Sequence, residues 1–460
     1  MPLIRSISGL RATVEDSLTN QVVENNIYAF NKICPEGEII IGRDGRPSGK
    51  KIEDQIVKIF NSMNRESVIL GVVPTPTIQY TVENRKAAGG IAITASHNPA
   101  EWNGLKFINN KGVFLDADEN KTMWEIADGN FKINYNNSEN CKSINIEDAI
   151  EKHIQSILSL KIFQESNVIN KIKERNFRVV VDAVNSSGSV AILSLLAQFN
   201  CSYVPLYCDG TGKFPHTPEP LPENLSDLAN SIVKNEANLG IAVDPDADRL
   251  VIIDDKGKPI GEEKTIVLAA ESILNSNFVN SSGYEKSAVV NHSTTMLVDY
   301  VASKHSAKVY RSAVGEINVV KKMIETNSII GGEGSGGVIL PASHYGRDSL
   351  VGTALILKLL AQRSCSISEL TNSLPDYKMI KTKMSFNGNF PKLIEYLIKE
   401  FPGFEINLED GFKAISQNCW IQVRSSNTEP IIRIIAESES EEEASNLINQ
   451  VNFLISKNFS

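Results

Sequence analysis

A threefold repetition of one local pattern constrains this chain more than any other feature. Each unit opens on a β-branched run: IIIGR from Ile39, RVVVDAV from Arg178 and SAVVN from Ser287. Each run breaks into a small polar loop (RDGRPSG, NSSGS, HSTT), and an amphipathic segment follows: KKIEDQIVKIF, VAILSLLAQF, MLVDYVASK. A second apolar run comes next: VILGVVPTPT, SYVPLYCDGTG, KVYRSAVGE. A third, GGIAITASHNP, LGIAVDPDADR or SIIGGEGSGG, ends in a loop rich in small or acidic residues. Strand, helix and strand at this spacing read as βαβ units in mostly parallel sheets. Short apolar runs without alternation fit strands buried on both faces. Ligands of such sheets sit beyond the carboxyl ends of the strands, where all these loops fall.

The last ninety or so residues break the pattern. PKLIEYLIKEF reads as a helix, FEINLEDGFKAI and CWIQVRSSNTEPIIRIIAE as antiparallel strands with a turn at Asp410-Gly411, and SEEEASNLINQVNFLISKNF as a closing charged helix. The expected fold class is therefore α/β. Three similar α/β domains with mostly parallel mixed sheets surround a central cleft, and a C-terminal α+β domain follows. The boundaries fall at 1–150, 151–255, 256–370 and 371–460, with TNSLPDYK (371–378) as the hinge and the Asn-rich stretch 134–140 as a surface loop.

Composition narrows the partners. Lys plus Arg number 46 against 55 Asp plus Glu, giving a net charge of −9. That balance argues against nucleic acid or an anionic membrane as the main partner. An anionic small substrate is still allowed where cations gather locally. Six cysteines are scattered without a C-x-x-C pair, which fits reduced thiols in a cytoplasm. The opening residues carry no signal-peptide pattern, and no apolar run is long enough for a membrane span.

Four motifs carry chemistry. In TASHNP (94–99) an apolar strand delivers Ser96 at its end, where Asn98-Pro99 forces a turn. Alone such a serine is an ordinary turn cap; on a rigid support it suits a covalent phosphoryl carrier. The hydrolase elbow G-x-S-x-G is absent. In AVDPDADRL (242–250), Asp244, Asp246 and Asp248 converge at a strand end, a hard-oxygen set suited to Mg²⁺. An EF-hand would need Gly and Glu where Arg249 and Asp255 stand. Arg249 suits a bidentate contact with phosphate. GGEGSGG (331–337) lets a ligand approach closely, with Glu333 and Ser335 able to bond vicinal sugar hydroxyls. VRSSNTEP (423–430) offers Arg424, Ser425, Ser426, Asn427 and Thr428 as donors to a phosphate, although an ordinary polar hairpin loop has the same composition.

TASHNP, DPDADR, GEGSGG and RSSNTEP, in this order and over nearly the whole chain, resemble the α-D-phosphohexomutases: phosphoglucomutase, phosphomannomutase and phosphoglucosamine mutase. The resemblance implies four domains around a cleft, with Ser96 as the phosphoserine. It also implies Mg²⁺ held by Ser96, Asp244, Asp246 and Asp248, sugar hydroxyls read by Glu333 and Ser335, and a distal phosphate gripped by Arg424, Ser426, Asn427 and Thr428. Arg11 and Lys106, in SGLRAT and NGLKF, match positions that assist proton and charge transfer, and Arg249 joins them at the phosphoserine. Two departures stand out. Many members end the sugar loop in histidine where this chain has Gly337, leaving His344 or Arg347 as candidates for that role; and Ala12 replaces a glycine after Arg11. The E-G-S-G-G loop and ISGLR opening are most similar to the phosphoglucosamine mutase branch.

The expected activity is interconversion of a hexose 6-phosphate and 1-phosphate, with glucosamine as the sugar and a hexose 1,6-bisphosphate as intermediate and primer. Phosphomannomutase/phosphoglucomutase activity of broad sugar range is one alternative. A non-catalytic sugar-phosphate sensor is another, from a different class.

Overall fold

The computed structural model describes residues 3–129, 143–426 and 430–459. The Asn-rich stretch 134–140 lies outside them. The first sheet comprises β1 (Ile4–Ser6), β2 (Gly9–Thr13), β3 (Ile39–Arg43), β4 (Ser67–Val72), β5 (Gly89–Ile93), β6 (Trp102–Asn109) and β7 (Ser143–Asn145), in the order β1-β2-β6-β5-β3-β4-β7. The second holds β8 (Arg178–Asp182), β9 (Ser202–Leu206), β10 (Leu239–Val243) and β11 (Leu250–Ile253), ordered β11-β10-β8-β9. The third holds β12 (Glu285–Asn291), β13 (Lys308–Ser312), β14 (Ser328–Glu333) and β15 (Gly337–Ile339), ordered β13-β12-β14-β15.

The repeat is real in three dimensions. In every sheet the first apolar run pairs parallel with both the second and the third. The strand after the third run returns antiparallel: β6 on β5, β11 on β10, β15 on β14. The sheets are thus mixed, and β5, β10 and β14 are buried along their whole length, with interiors made of apolar residues and glycine. Those three strands end side by side in function: each releases its chain into one of the motif loops.

The last sheet is antiparallel and made of β16 (Lys378–Ser385), β17 (Glu405–Asn407), β18 (Phe412–Ile415), β19 (Cys419–Ser425) and β20 (Ile431–Ser438), ordered β16-β20-β19-β18-β17. Helices Phe390–Glu400 and Glu441–Phe459 cover it. The segment read as a hinge holds the end of helix Ile367–Asn372 and then enters β16 at Lys378. β16 escaped the sequence reading because its lysines disguise it; charged side chains are usual on an edge strand.

Packing does not respect the division into sheets. One continuous apolar cluster runs from Ile154 to Ile367, joining Val179, Val181 and Ile241 of the second sheet to Ala288, Val290 and Ile329 of the third. Helices Glu263–Leu274 and Ser349–Arg363 lie within it, almost wholly buried. The first and last sheets keep clusters of their own. Among the described residues no helix is long and apolar enough to cross a membrane.

Candidate active site

The loops after β5 and β10 meet. Ser96 is buried, and its hydroxyl donates to Asp244 Oδ2 at 2.9 Å and lies 3.3 Å from His97 Nδ1. The Ser96 backbone is left-handed, with φ of 51°, and Ala247 in the neighbouring loop has φ of 50°. Each such residue costs about 1–2 kcal/mol, and strain of this kind collects at functional sites. The Ser96 N–H donates to Thr94 Oγ1 at 2.8 Å, and Asn98 closes the turn by donating to Ala95 O. Burial first, then the Arg249 and Arg11 cations, push the His97 imidazole down to about 2, so it is neutral beside Ser96.

The three aspartates form a group whose ligand atoms lie within 4.8 Å of one another, all buried. Asp244 Oδ1 accepts the Arg249 N–H at 3.1 Å. Asp246 Oδ2 accepts Thr75 Oγ1 at 2.7 Å and Lys106 Nζ at 2.6 Å; Asp248 Oδ2 accepts Lys106 at 2.9 Å and Arg347 Nη2 at 2.7 Å. Lys106 comes from β6, opposite Ala92 of β5, and its position beside two carboxylates outweighs burial and raises its pKa. Burial and the charges of Asp248 and Asp246 raise Asp244 well above the carboxylate range. Burial acts the same way on Asp248, but Arg347 and Lys106 outweigh it and hold that carboxyl low. Asp246 Oδ1 and Asp248 Oδ1 are buried without a hydrogen-bond partner among the described residues. Two orphaned carboxylate oxygens beside a third carboxylate fit a hard divalent cation.

Above this cluster lies a cleft of about 480 Å³. Arg11, His97, Arg249, Glu333, Ser335 and Arg424 all line it. Arg11 Nη1 donates to Asn98 Oδ1 at 3.1 Å, tying β2 to the Ser96 loop. Glu333 is held at the end of β14 by Asn291 Nδ2 at 3.0 Å and the Gly315 N–H at 3.1 Å. Across the cleft, Arg424 stands directly opposite Arg433 in the β19–β20 register, and Arg433 also lines the cleft. Like charges paired across strands are destabilising, and an anion between them would offset that. Burial lowers the Arg424 pKa. Ser426 donates its backbone N–H to Ile431 O. Asn427 and Thr428 lie outside the described residues.

Several site residues are invisible to motif reading. Arg46 is fully buried and spends its guanidinium on the Ser96 loop: Nε on Asp44 at 2.9 Å, Nη1 on Pro99 O and Trp102 O, Nη2 on Ser96 O and Asn98 O. Its only signal was a second arginine inside RDGRPSG. Arg433 is the lone charge in the apolar run IIRIIA, a signal that hairpin register makes legible. Of the two candidates near Gly337, Arg347 enters the site, whereas His344 turns away to Asp348 Oδ2 at 3.2 Å.

Comparison with known proteins matches the geometry. Residues 4–134, 151–257 and 262–377 match the phosphoglucomutase/phosphomannomutase alpha/beta/alpha domains I, II and III, and 385–452 match the C-terminal domain of the same family. A Thermococcus kodakarensis protein named phosphoglucomutase/phosphomannomutase is 34% identical, covering 95% of this chain and 94% of its own. A Sulfurisphaera tokodaii phosphoglucosamine/phosphogalactosamine mutase is 31% identical over 97% of this chain and 98% of its own. The crystal structure of a phosphoglucomutase/phosphomannomutase family protein from Burkholderia thailandensis superposes with a TM-score of 0.84 at 24% identity, covering 99% of this chain and 98% of that one.

Proposed function

The chain belongs to the phosphoglucomutase/phosphomannomutase family and is a phosphohexose mutase, and on that premise we propose that it interconverts glucosamine 6-phosphate and 1-phosphate through phospho-Ser96. The observation that carries the mechanism is the contact between Ser96 Oγ and Asp244 beneath a cleft whose far wall bears Arg424 opposite Arg433. One end of the cleft suits a phosphoryl donor, and the other suits a phosphate at rest.

In this reading the Arg424 wall binds the phosphate already on the sugar, while Glu333 and Ser335 orient the ring through its hydroxyls. The Ser96 Oγ–P bond breaks as a bond forms to the free sugar hydroxyl, which gives up its proton while Ser96 Oγ takes one up, leaving a hexose 1,6-bisphosphate and a free serine hydroxyl. The bisphosphate turns over, and its other phosphoryl group returns to Ser96. Arg11, Arg249 and Lys106 place fixed positive charge around the transferring group, at no cost in reorganisation. Asp244, Asp246 and Asp248 would hold Mg²⁺, which supplies Lewis-acid neutralisation of phosphoryl oxygens when bound. The described cysteines are all free thiols, which supports a cytoplasmic setting.

A broader sugar range is the second reading, supported by the name of the Thermococcus kodakarensis relative. The test is turnover of glucosamine, glucose and mannose 6-phosphates by the purified chain with Mg²⁺ and trace 1,6-bisphosphate. Preference for glucosamine phosphate is expected; equal rates on glucose phosphate would select the broad enzyme. Ser96→Ala must abolish turnover, and activity retained in that variant would remove the phosphoserine from the mechanism.

A further inference from the structure

Arg347 sits between three acids from three separate elements. Its Nε donates to Glu316 Oε2 at 2.9 Å, Nη1 to Glu333 Oε2 at 2.9 Å and Nη2 to Asp248 Oδ2 at 2.7 Å. Asp248 belongs to the loop after β10, Glu333 ends β14, and Glu316 opens helix Glu316–Thr326. The same Glu316 accepts from Gln79 Nε2 at 3.1 Å, in the helix Thr75–Arg85 of the first sheet.

The backbone beneath this side chain is fixed. Arg347 forms a bridge with Ile339, and the next residue, Asp348, donates its N–H to Val338 O at 2.8 Å and caps helix Ser349–Arg363. Gly337 makes room for the stem: a Cβ there would lie 2.3 Å from Arg347 Cδ and 2.9 Å from Cγ. Any larger residue at 337 displaces the arginine.

We infer that Arg347 is a positioning residue that couples the aspartate loop to the sugar loop, so that divalent cation and sugar phosphate strengthen each other's binding. The inference rests on the functional reading above. A guanidinium is a rigid planar fork. Asp248 uses Oδ2 on that fork and keeps Oδ1 unpartnered, so a cation taken at Oδ1 fixes the carboxylate that orients the fork. The other tine holds Glu333 Oε2, and Glu333 lines the cleft. A lysine keeps the charge but offers its donors from a single point, and cannot hold three carboxylates in one plane.

The test uses equilibrium binding in a Ser96→Ala background, where no turnover intervenes. The affinity for glucose 6-phosphate or glucosamine 6-phosphate is measured with and without Mg²⁺, and that for Mg²⁺ with and without the sugar phosphate. Linkage requires the same factor both ways, expected at about fivefold or more. With Arg347→Lys the factor should fall to about one while each ligand still binds alone. Gly337→Ala, which presses on the arginine stem and leaves all charges in place, should lower it as well. A coupling factor unchanged in these variants would overturn the inference, because attraction between Mg²⁺ and the sugar's own phosphate would then account for it. Absence of both binding events in the Ser96→Ala parent would instead count against the functional reading.

Discussion

Arg46→Lys isolates what holds the Ser96 loop in place. The substitution keeps the buried charge beside Asp44 but reduces five fixed donors to three on one nitrogen. At least two of the acceptors on Ser96, Asn98, Pro99 and Trp102 then lose their partner. Each unpaired buried carbonyl costs about 1–3 kcal/mol, towards the lower end for the half-buried Asn98 and Trp102 and the exposed Pro99, giving about 2–4 kcal/mol in all. For a unit of this size that is a fall of about 4–16 °C in its melting temperature. The chemistry should suffer more. The left-handed backbone of Ser96 is disfavoured by about 1–2 kcal/mol and is held by the bond to its carbonyl. Released, the loop relaxes, and a displacement of about 1 Å at a reacting atom costs about a hundredfold in rate. The assay is transfer of phosphate from a hexose 1,6-bisphosphate to Ser96, followed by intact-protein mass, alongside thermal denaturation. A variant that melts within about 1 °C of the parent and phosphorylates within about threefold of its rate would refute the reasoning.

The remaining predictions concern the metal, the distal phosphate and one buried lysine. Asp246→Asn should weaken Mg²⁺ binding, seen by titration calorimetry, and lower turnover by about two orders of magnitude or more, since Lewis-acid stabilisation contributes several kcal/mol. Undiminished Mg²⁺ affinity would contradict the ligand role. Arg424→Ala removes a charge-assisted contact of about 1.5–3 kcal/mol made in ground and transition states alike, so KM should rise about tenfold or more with kcat nearly kept. An unchanged KM would leave the loop without a binding role. Burial pushes the Lys358 ammonium down to about 8, where it donates to Ser272 O at 2.7 Å. Its charged form is disfavoured on folding, so its contribution is least favourable below about pH 8 and improves as pH rises towards the unfolded value of about 10.4. Lys358→Met should therefore raise the melting temperature at pH 7, by a margin worth about 3 kcal/mol, and lose that margin between pH 8 and 10.5. A margin independent of pH would show that burial of the charge is not its source.

What the sequence made legible followed from locality. Ser96 and the aspartate triad lie in short motifs directly after apolar strands, and a strand end fixes where a loop projects. The three parallel units were visible for the same reason, each strand being a compact apolar run. Contacts made across the fold left no such trace. Arg46 and Ser96 are fifty residues apart, and Arg347 and Asp248 ninety-nine. Nothing in HYGRD distinguishes Arg347 from His344 until β15 bends the chain back and Gly337 opens space for the longer stem. The antiparallel returns β6, β11 and β15 were missed as well, because hairpin partners are set by turns rather than by their own composition. β16 was hidden by alternation with lysine, the pattern of a half-exposed edge.

The continuous core between the second and third sheets bears on how the molecule melts. Helices Glu263–Leu274 and Ser349–Arg363 are buried among side chains of both sheets, so neither sheet can open without exposing the apolar surface of the other. The last sheet has a separate cluster, and the first, besides clusters of its own, shares with the third only a small one that joins Val113 and Ile7 to Val289, Ile317 and Ile339. Calorimetry should therefore resolve three cooperative transitions, not four, and the largest enthalpy should belong to the pair that melts together. The two loops that Arg347 bridges, one from each of these sheets, then share a single thermal fate: the aspartates cannot lose their fold while the sugar loop keeps its own.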